Sequence, residues 1–228
     1  MEVSALIPVR SGSRRIPNKN AQVVGEHSLL ESCIVRLQHT DAVDRIIVGT
    51  DCSVLATIAS EAGAEVVWRD DVCCDETVAS ANMMIADFVS KVDTDIVMWS
   101  HCTNPFVSSE TYQNALATFV ENLSTGYDSL LSVAEVKEHL WGPNEMPLNY
   151  NPYQERHPLV SELPVYYKQT GAFFIQLHET VKKNHYFFAN RPFLFKTTEL
   201  ESVDINTPED LELARAVATY LSKDKKDF

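Results

Sequence analysis

Residues 6–20 read LIPVRSGSRRIPNKN, and this stretch decides how the rest of the chain is interpreted. It begins inside an apolar segment, residues 3–9, which predicts a buried parallel strand. Gly12 lets the backbone approach a ligand closely, and serines flank it. The loop also carries four cations: Arg10, Arg14, Arg15 and Lys19. Exposed backbone N–H groups combined with these cations predict a site for a polyanion.

The loop has neither the GxxxxGK[ST] pattern of a Walker loop nor the GxGxxG dinucleotide fingerprint. A solvated basic loop after a first strand is the alternative interpretation. The chain carries 19 Lys+Arg against 32 Asp+Glu, which gives a formal net charge of -13. A local excess of cations in so acidic a protein favours ligand binding.

Length and composition favour one α/β domain over residues 1–228, with a sizeable core. No apolar run approaches the roughly 18 residues that span a membrane. Residues 1–9 lack the basic region and cleavage site of a signal peptide. The chain has five cysteines, an odd number, and no CxxC motif. This pattern indicates reduced thiols in the cytoplasm rather than a disulfide scaffold or a zinc site. A sequence pI near 4.9 argues against a nucleic-acid partner.

Predicted strands and helices alternate along most of the chain. The predicted strands cover residues 3–9, 45–48, 65–68, 95–100, 129–133, 171–176, 193–197 and 202–205. The predicted helices cover residues 28–38, 54–61, 80–92, 108–122, 178–184 and 208–221. This order predicts an α/β fold with a mostly parallel, mixed sheet and helices on both faces. Ligands of such sheets bind at the carboxyl ends of the strands, where the loop after residue 9 lies.

Residues 135–165 interrupt the alternation, because they are rich in proline and in aromatic residues. We interpret them as an extension that contacts a partner, and an ordered surface loop is the alternative. Residues 223–228 are charged and predict a frayed tail.

The first loop resembles the N-terminal signature of the CMP-sialic acid synthetase (acylneuraminate cytidylyltransferase) family, which is related to the CMP-KDO synthetases. That signature is an apolar strand followed by A-R-x-x-S-K-x-I-x-x-K-N, and Arg14 stands where Lys is usual. The resemblance implies a nucleotide-diphospho-sugar transferase-like fold in which this loop wraps the triphosphate of CTP. It implies nucleotide contacts from Arg10, Ser11, Gly12, Ser13, Arg14, Lys19 and Asn20.

Four further segments match the family in order, so the resemblance covers nearly the whole chain. Residues 69–80 (RDDVCCDETVAS) match a segment that holds the cytosine and the nucleotide's sugar. The resemblance therefore adds Arg69 and Ser80 to the predicted nucleotide-binding residues. From the residues alone, a surface ion pair is the alternative for Arg69.

Two segments imply the acceptor side. Residues 99–106 (WSHCTNPF) resemble the family's L-Q-P-T-S-P-L, with His101 where a Gln contacts the sugar acid. Residues 162–175 (ELPVYYKQTGAFFI) resemble a segment beside the sugar-acid pocket. The implied substrate-binding residues are His101, Thr103, Asn104, Gln169, Thr170 and Gly171. A capping or core-edge histidine remains the alternative for His101.

Residues 203–210 (VDINTPED) resemble the family's I-D-I-D-T-x-E-D, with Asn206 in place of the second carboxylate. The resemblance implies Mg²⁺ held by Asp204 and Asn206, since hard divalent cations take oxygen ligands. The alternative from the residues alone is a helix N-cap with an acidic first turn.

These expectations describe a cytoplasmic, Mg²⁺-dependent homodimer that transfers CMP from CTP to a sialic-acid-like nonulosonic acid. Arg10, Lys19 and Asp204 are the predicted catalytic residues. The alternatives are a cytidylyltransferase for KDO or another 2-keto sugar acid, and a non-catalytic nucleotide-binding protein on the same fold. A glycosyltransferase fits less well, because the chain hardly accommodates an acceptor domain.

Overall fold

The structure, a computed structural model, describes residues 1–224. Its strands are β1 (Val3–Pro8), β2 (Val23–Val24), β3 (His27–Ser28), β4 (Arg45–Thr50), β5 (Glu65–Trp68), β6 (Ile96–Ser100), β7 (Ser129–Val136), β8 (Tyr166–Leu177) and β9 (Pro192–Lys196). Its α-helices are α1 (Leu29–Gln38), α2 (Ser53–Glu61), α3 (Asp71–Cys74), α4 (Ala81–Ser90), α5 (Ser109–Leu123), α6 (His178–Asn184) and α7 (Pro208–Asp224).

Seven strands form one sheet in the order β5-β4-β1-β6-β8-β7-β9. The pairs β4–β5, β1–β4, β1–β6 and β7–β9 are parallel, and β8 runs antiparallel to both β6 and β7. The expected mostly parallel, mixed sheet is confirmed. Since β1, β4, β5 and β6 are parallel, their carboxyl ends meet at one edge.

Alternate residues of β1 enter two different cores, as the side-chain period of a strand requires. Ala5 and Ile7 pack on the face covered by α1, α2, α5 and α7, whereas Leu6 packs with α4 and α6 on the other. Helices on both faces are therefore confirmed, and β1 is buried along almost its whole length.

The predicted strand over residues 202–205 is wrong. The segment has no ladder partner among the described residues and instead joins the end of β6 through individual hydrogen bonds. Ile205 N–H donates to the Thr103 carbonyl oxygen at 2.9 Å, and Asn104 Nδ2 donates to the Val203 carbonyl oxygen at 3.1 Å. Irregular backbone is stable here because a side chain and a neighbouring loop satisfy its polar groups.

The predicted extension over residues 135–165 is shorter in the structure, because β7 continues to Val136 and β8 begins at Tyr166. The two strands form the base of an arm, and residues 137–165 form its irregular outer part, which we call the arm loop. The predicted frayed tail is wrong at residues 223 and 224, since α7 continues through Asp224. Residues 225–228 of that tail lie outside the described residues. Within residues 1–224, no helix is long and apolar enough to cross a membrane.

Candidate functional site

A cleft of about 230 Å³ opens at the carboxyl edge where β1, β5 and β6 end. Five cations line it: Arg10, Arg14, Arg15, Lys19 and Arg69. Among its described lining residues, Glu76 is the only carboxylate. Such an excess of positive charge within an acidic molecule attracts a polyanion.

Glu76 bridges two of the predicted nucleotide-binding arginines. Its carboxylate pairs with the Arg10 guanidinium, and its Oε1 lies 3.1 Å from Arg14 Nε. Arg10 Nη1 also donates to the Cys74 carbonyl oxygen at 3.1 Å. Two guanidinium groups therefore converge on one anionic group, which shows that the cleft can bind an anion between them.

Ser11 anchors the first loop to the end of β4. Its backbone N–H donates to Asp51 Oδ1 and its hydroxyl donates to Asp51 Oδ2, both at 2.9 Å. The predicted ligand-binding hydroxyl is thus already engaged, and Ser11 shapes the loop. Sequence reasoning missed Asp51, although its position directly after a parallel strand at the same edge was the available signal.

Gly12 and Ser13 form the exposed tip of the loop. A Cβ built at Gly12 would meet no atom of residues 1–224 within 4 Å, and Gly12 does not have a positive φ. Neither packing nor backbone conformation therefore requires glycine at this position, and close approach of a ligand to Gly12 stays a prediction. Ser13 lines the cleft, and its N–H donates to the Ser11 carbonyl oxygen at 3.0 Å.

Lys19 connects the first loop to the segment before α7. Its Nζ donates to the Ile205 carbonyl oxygen at 2.9 Å. Burial lowers the pKa of Lys19, and the nearby Asp204 carboxylate opposes that shift. Asn20 is buried beside it and accepts a hydrogen bond from Cys102 Sγ at 3.3 Å, so it supports the wall of the cleft.

Asp204 and Asn206 lie side by side, but the amide directs its Nδ2 and not its oxygen to the carboxylate, so the predicted metal pair does not present two oxygens to one point. Asn206 Nδ2 donates to Asp204 Oδ2 at 2.5 Å, and Arg15 Nη2 donates to Asn206 Oδ1 at 2.9 Å. The single carbonyl oxygen of Asn206 is therefore engaged by a cation of the protein. Asp204 provides the only side-chain carboxylate of this pair.

Arg69 is buried in the wall of the cleft. Its Nε lies 3.2 Å from Asp87 Oδ2, and its Nη2 donates to the carbonyl oxygens of Cys73 and Met84 at 3.2 Å. Its guanidinium joins the segment after β5 to α4. Ser80 caps α4 at the outer rim, where its hydroxyl accepts from Met83 N–H at 3.3 Å.

His101 faces the cleft with both ring nitrogens occupied. Trp99 Nε1 donates to His101 Nε2 at 3.2 Å, and His101 Nδ1 lies 2.5 Å from the Gly171 carbonyl oxygen. These partners require a neutral ring with its proton on Nδ1. Desolvation lowers the pKa of His101, which favours the same neutral form.

Of the other predicted substrate-binding residues, one lines the cleft and a second contacts the cleft-lining His101. Thr103 lines the cleft, and Gly171, with φ +76°, directs its carbonyl oxygen to His101. Asn104 is buried and donates to the 203–205 segment as described above. Gln169 is exposed on β8, next to the arm.

Thr170 belongs to an irregularity that shapes β8. Its hydroxyl donates to Ser132 Oγ at 2.7 Å, where the β7–β8 register shifts. Ser132 Oγ also accepts from Phe173 N–H at 3.1 Å. A bulge held in this way redirects the strand locally, which explains how the Gly171 carbonyl oxygen meets His101 while Thr170 stays buried.

Among the described residues, one group of three metal-ligating side chains lies close together: Asp70, Cys73 and Asp87. Lys91 Nζ lies 3.0 Å from Asp70 Oδ1 and 2.6 Å from Asp87 Oδ1, and Arg69 also pairs with Asp87. Cations of the protein already neutralise these carboxylates, so the group is a structural ion-pair network.

The comparisons with known proteins agree with this geometry. The profile of a family described as Cytidylyltransferase matches residues 4–227. CMP-N,N'-diacetyllegionaminic acid synthase of Legionella pneumophila is 27% identical over 227 residues, which cover 93% of this chain and 94% of that protein. N-acylneuraminate cytidylyltransferase of Streptococcus agalactiae is 25% identical over 218 residues, which cover 92% of this chain. The chain spans only 52% of that second relative.

A solved structure supports the fold. CMP:2-keto-3-deoxy-manno-octonic acid synthetase complexed with CTP superposes with a TM-score of 0.72 and covers 96% of this chain and 99% of that chain. Its sequence identity of 15% is low, so the likeness concerns the fold alone.

Proposed function

Because the chain belongs to the cytidylyltransferase family, we propose that it transfers CMP from CTP to the anomeric hydroxyl of a sialic-acid-like nonulosonic acid. The observation that carries this proposal is the convergence of loop cations on one cleft at the carboxyl edge of the sheet. Similarity to enzymes for legionaminic and acylneuraminic acids supports the acceptor class.

In the proposed reaction, the acceptor's anomeric oxygen bonds to the α-phosphorus of CTP, and the bond from that phosphorus to the β-phosphate breaks. Pyrophosphate leaves, and the hydroxyl proton passes to water. No covalent bond to the protein is needed, so the protein must place two anions together and stabilise charge on the phosphate oxygens. Arg10 and Lys19 provide that charge from the first loop, and Arg10 becomes available when the triphosphate displaces Glu76.

The donor set fits Mg²⁺ through Asp204. Mg²⁺ usually takes one or two carboxylates plus substrate phosphates, so a single carboxylate is sufficient. Asn206 contributes less than the sequence suggests, because its oxygen is bonded to Arg15. When bound, the ion would neutralise charge on the phosphate oxygens, while Asp204 would fix its place beside Lys19.

We place the acceptor on the side of the cleft lined by His101 and Thr103, where the Gly171 carbonyl oxygen contacts His101. His101 shapes this side through its position, since neither ring nitrogen has a free hydrogen-bonding site. Arg69 and Ser80 lie at the other side, where a nucleotide base and ribose would contact the wall that Arg69 supports and the rim at Ser80.

We further propose a cytoplasmic homodimer that assembles through the arm loop. Its exposed side chains include Trp141 at 61%, Leu148 at 58% and Tyr153 at 84%. Large apolar side chains exposed in one segment are characteristic of an interaction surface. All five cysteines are free thiols, which suits a reducing compartment.

The test is pyrophosphate release from CTP with a panel of sugar acids: legionaminic, acylneuraminic, pseudaminic and KDO. The proposal predicts release with a nonulosonic acid. Release with KDO alone would favour the 2-keto sugar-acid alternative, and tight CTP binding without release would favour a non-catalytic nucleotide-binding protein.

A further inference from the structure

Arg15 differs from the other arginines of the cleft in its partner. Arg10 and Arg14 pair with Glu76, and Arg69 pairs with Asp87. Among the described side chains, residues 1–223, the Arg15 guanidinium forms no direct ion pair with a carboxylate, and its side-chain hydrogen bond goes to a neutral amide oxygen. The Asp210 carboxylate is near enough to interact with it electrostatically, but no carboxylate holds it in a direct pair.

Asn206 suits this position because it must satisfy two different neighbours. Its Nδ2 donates to Asp204 and its Oδ1 accepts from Arg15, at 2.5 Å and 2.9 Å. A carboxylate at position 206 could not donate to Asp204, and it would place two like charges side by side. It would also form an ion pair with Arg15 and remove the charge that the amide leaves available.

The backbone at Asn206 is itself fixed. Its N–H donates to Asp210 Oδ2 at 2.8 Å, and Thr207 N–H donates to the same oxygen at 2.7 Å. The start of α7 thus fixes the backbone of Asn206, whose side-chain amide accepts from the Arg15 guanidinium. Arg15 in turn lines the cleft.

We propose that Arg15 binds the pyrophosphoryl part of CTP and that Asn206 is its positioning residue. This inference rests on the proposed function, since it takes the triphosphate as the ligand of the cleft. A planar guanidinium held in one orientation can donate two parallel hydrogen bonds to phosphate oxygens. It follows that part of the charge on the triphosphate is balanced by Arg15 and does not require a divalent cation.

The experiment measures CTP binding by isothermal titration calorimetry in EDTA and again in Mg²⁺. The variants are Arg15→Gln, Arg15→Lys, Asn206→Asp and the double variant Arg15→Gln/Asn206→Asp. Lys182→Gln is the matched control, because it removes one cation from α6, at the opposite edge of the sheet from the cleft. Helix α6 follows the end of β8, and that end pairs with the start of β6. Thermal melting of each variant confirms that it is folded.

We expect Arg15→Gln to weaken CTP binding in EDTA roughly 10- to 100-fold, as loss of a charge-assisted hydrogen bond does. Arg15→Lys should fall between that variant and the wild type, because an ammonium lacks the planar fork. Asn206→Asp should weaken binding in EDTA by neutralising Arg15, and its effect should be clearly smaller in the Arg15→Gln background, where only repulsion between the added carboxylate and CTP remains. A merely structural role for Asn206 would not produce that dependence.

Tight CTP binding by Arg15→Gln in EDTA, equal to that of the wild type, would overturn the inference. If Asn206→Asp lowered CTP affinity in EDTA equally in the wild-type and Arg15→Gln backgrounds, the positioning role of Asn206 would be overturned. A wild-type protein that binds no CTP with or without Mg²⁺ would instead overturn the proposed function and, with it, this inference.

Discussion

Glu76 determines how much positive charge in the cleft is available to an incoming triphosphate. Its carboxylate, about half exposed at 45%, pairs with Arg10 and Arg14. Exposed ion pairs are weak, so their loss costs little in stability. We predict that Glu76→Gln binds CTP more tightly by about 0.5–1 kcal/mol, roughly twofold to fivefold. In this variant Arg10 and Arg14 no longer have to break an ion pair with a carboxylate before they contact the triphosphate.

Calorimetric titration of Glu76→Gln with CTP measures this effect, with Glu179→Gln on α6 as a control for the loss of one negative charge. Weaker binding by Glu76→Gln alone would show that Glu76 supports the bound nucleotide.

His101 makes stability depend on pH. Desolvation lowers its pKa below the ordinary value of 6.5, although the Gly171 carbonyl opposes the shift. The unfolded chain therefore binds a proton more readily than the folded protein below pH 6.5. Stability should fall as the pH decreases through this value, by at most about 1.4 kcal/mol per pH unit for one proton.

Melting temperatures of the wild type and His101→Gln across acidic pH check this prediction. The wild type should lose stability more steeply than His101→Gln below pH 6.5. Parallel curves for the two proteins would show that His101 does not titrate with folding.

For a physical reason, the sequence points to some of the residues that line the cleft. Arg10 and Lys19 could be found because a cluster of cations is unusual in a chain with a net charge of -13. Asp51 and Glu76 could not be found in the same way, because an acidic chain has many carboxylates. Only the folded structure shows that these two meet the first loop.

At the level of elements, the start of α7 has a capping box that also positions the site. Asp210 N–H lies 3.2 Å from Thr207 Oγ1, and Asp210 Oδ2 accepts from Thr207 N–H at 2.7 Å. Backbone N–H groups of Asn206 and Thr207 lower the pKa of Asp210, so its carboxylate is charged at neutral pH.

We predict that Asp210→Ala lowers the free energy of unfolding by about 1 kcal/mol, as loss of a helix cap does. Urea unfolding measures it, and Glu209→Ala, one residue earlier in the same turn, is the matched control. An equal loss in both variants would indicate a general effect of first-turn charge.

A helix or strand can be predicted from the sequence when its own residues carry a regular hydrophobic pattern. The residues of β1 form an apolar run and those of α1 have helical spacing, and both elements lie where expected. The segment 202–205 has a strand-like composition but irregular backbone, because Asn104 and Thr103 satisfy it from a distant part of the chain. Contacts of that kind leave no periodicity in the sequence.

At the scale of the whole molecule, the arm is continuous with the side of the cleft where we propose that the acceptor binds. Strand β8 leads from the arm through the bulge at Thr170 to Gly171, whose carbonyl oxygen meets His101. A partner that binds the arm loop would therefore contact an element that forms part of the site.

We predict a homodimer in solution, twice the chain mass of 25.6 kDa, that dissociates when an arm aromatic is replaced by a charge. Tyr153→Asp should weaken association by about 2 kcal/mol or more, as loss of an interface aromatic does. Tyr220→Asp is the matched control, because Tyr220 is exposed on α7. Sedimentation velocity distinguishes the outcomes, and a fully active wild-type monomer would refute the dimer.

We propose that the cations of the first loop stabilise the transfer of CMP from CTP. The most direct test is a simultaneous measurement of pyrophosphate and CMP-sugar in the wild type, Lys19→Ala and Lys182→Gln, with the preferred sugar acid. We expect equal molar amounts of pyrophosphate and CMP-sugar in the wild type, and likewise in Lys182→Gln. In Lys19→Ala, kcat should fall about 10²- to 10³-fold, more than KM for CTP rises, as when a donor to a developing oxyanion is lost. A folded Lys19→Ala protein with wild-type kcat would contradict it.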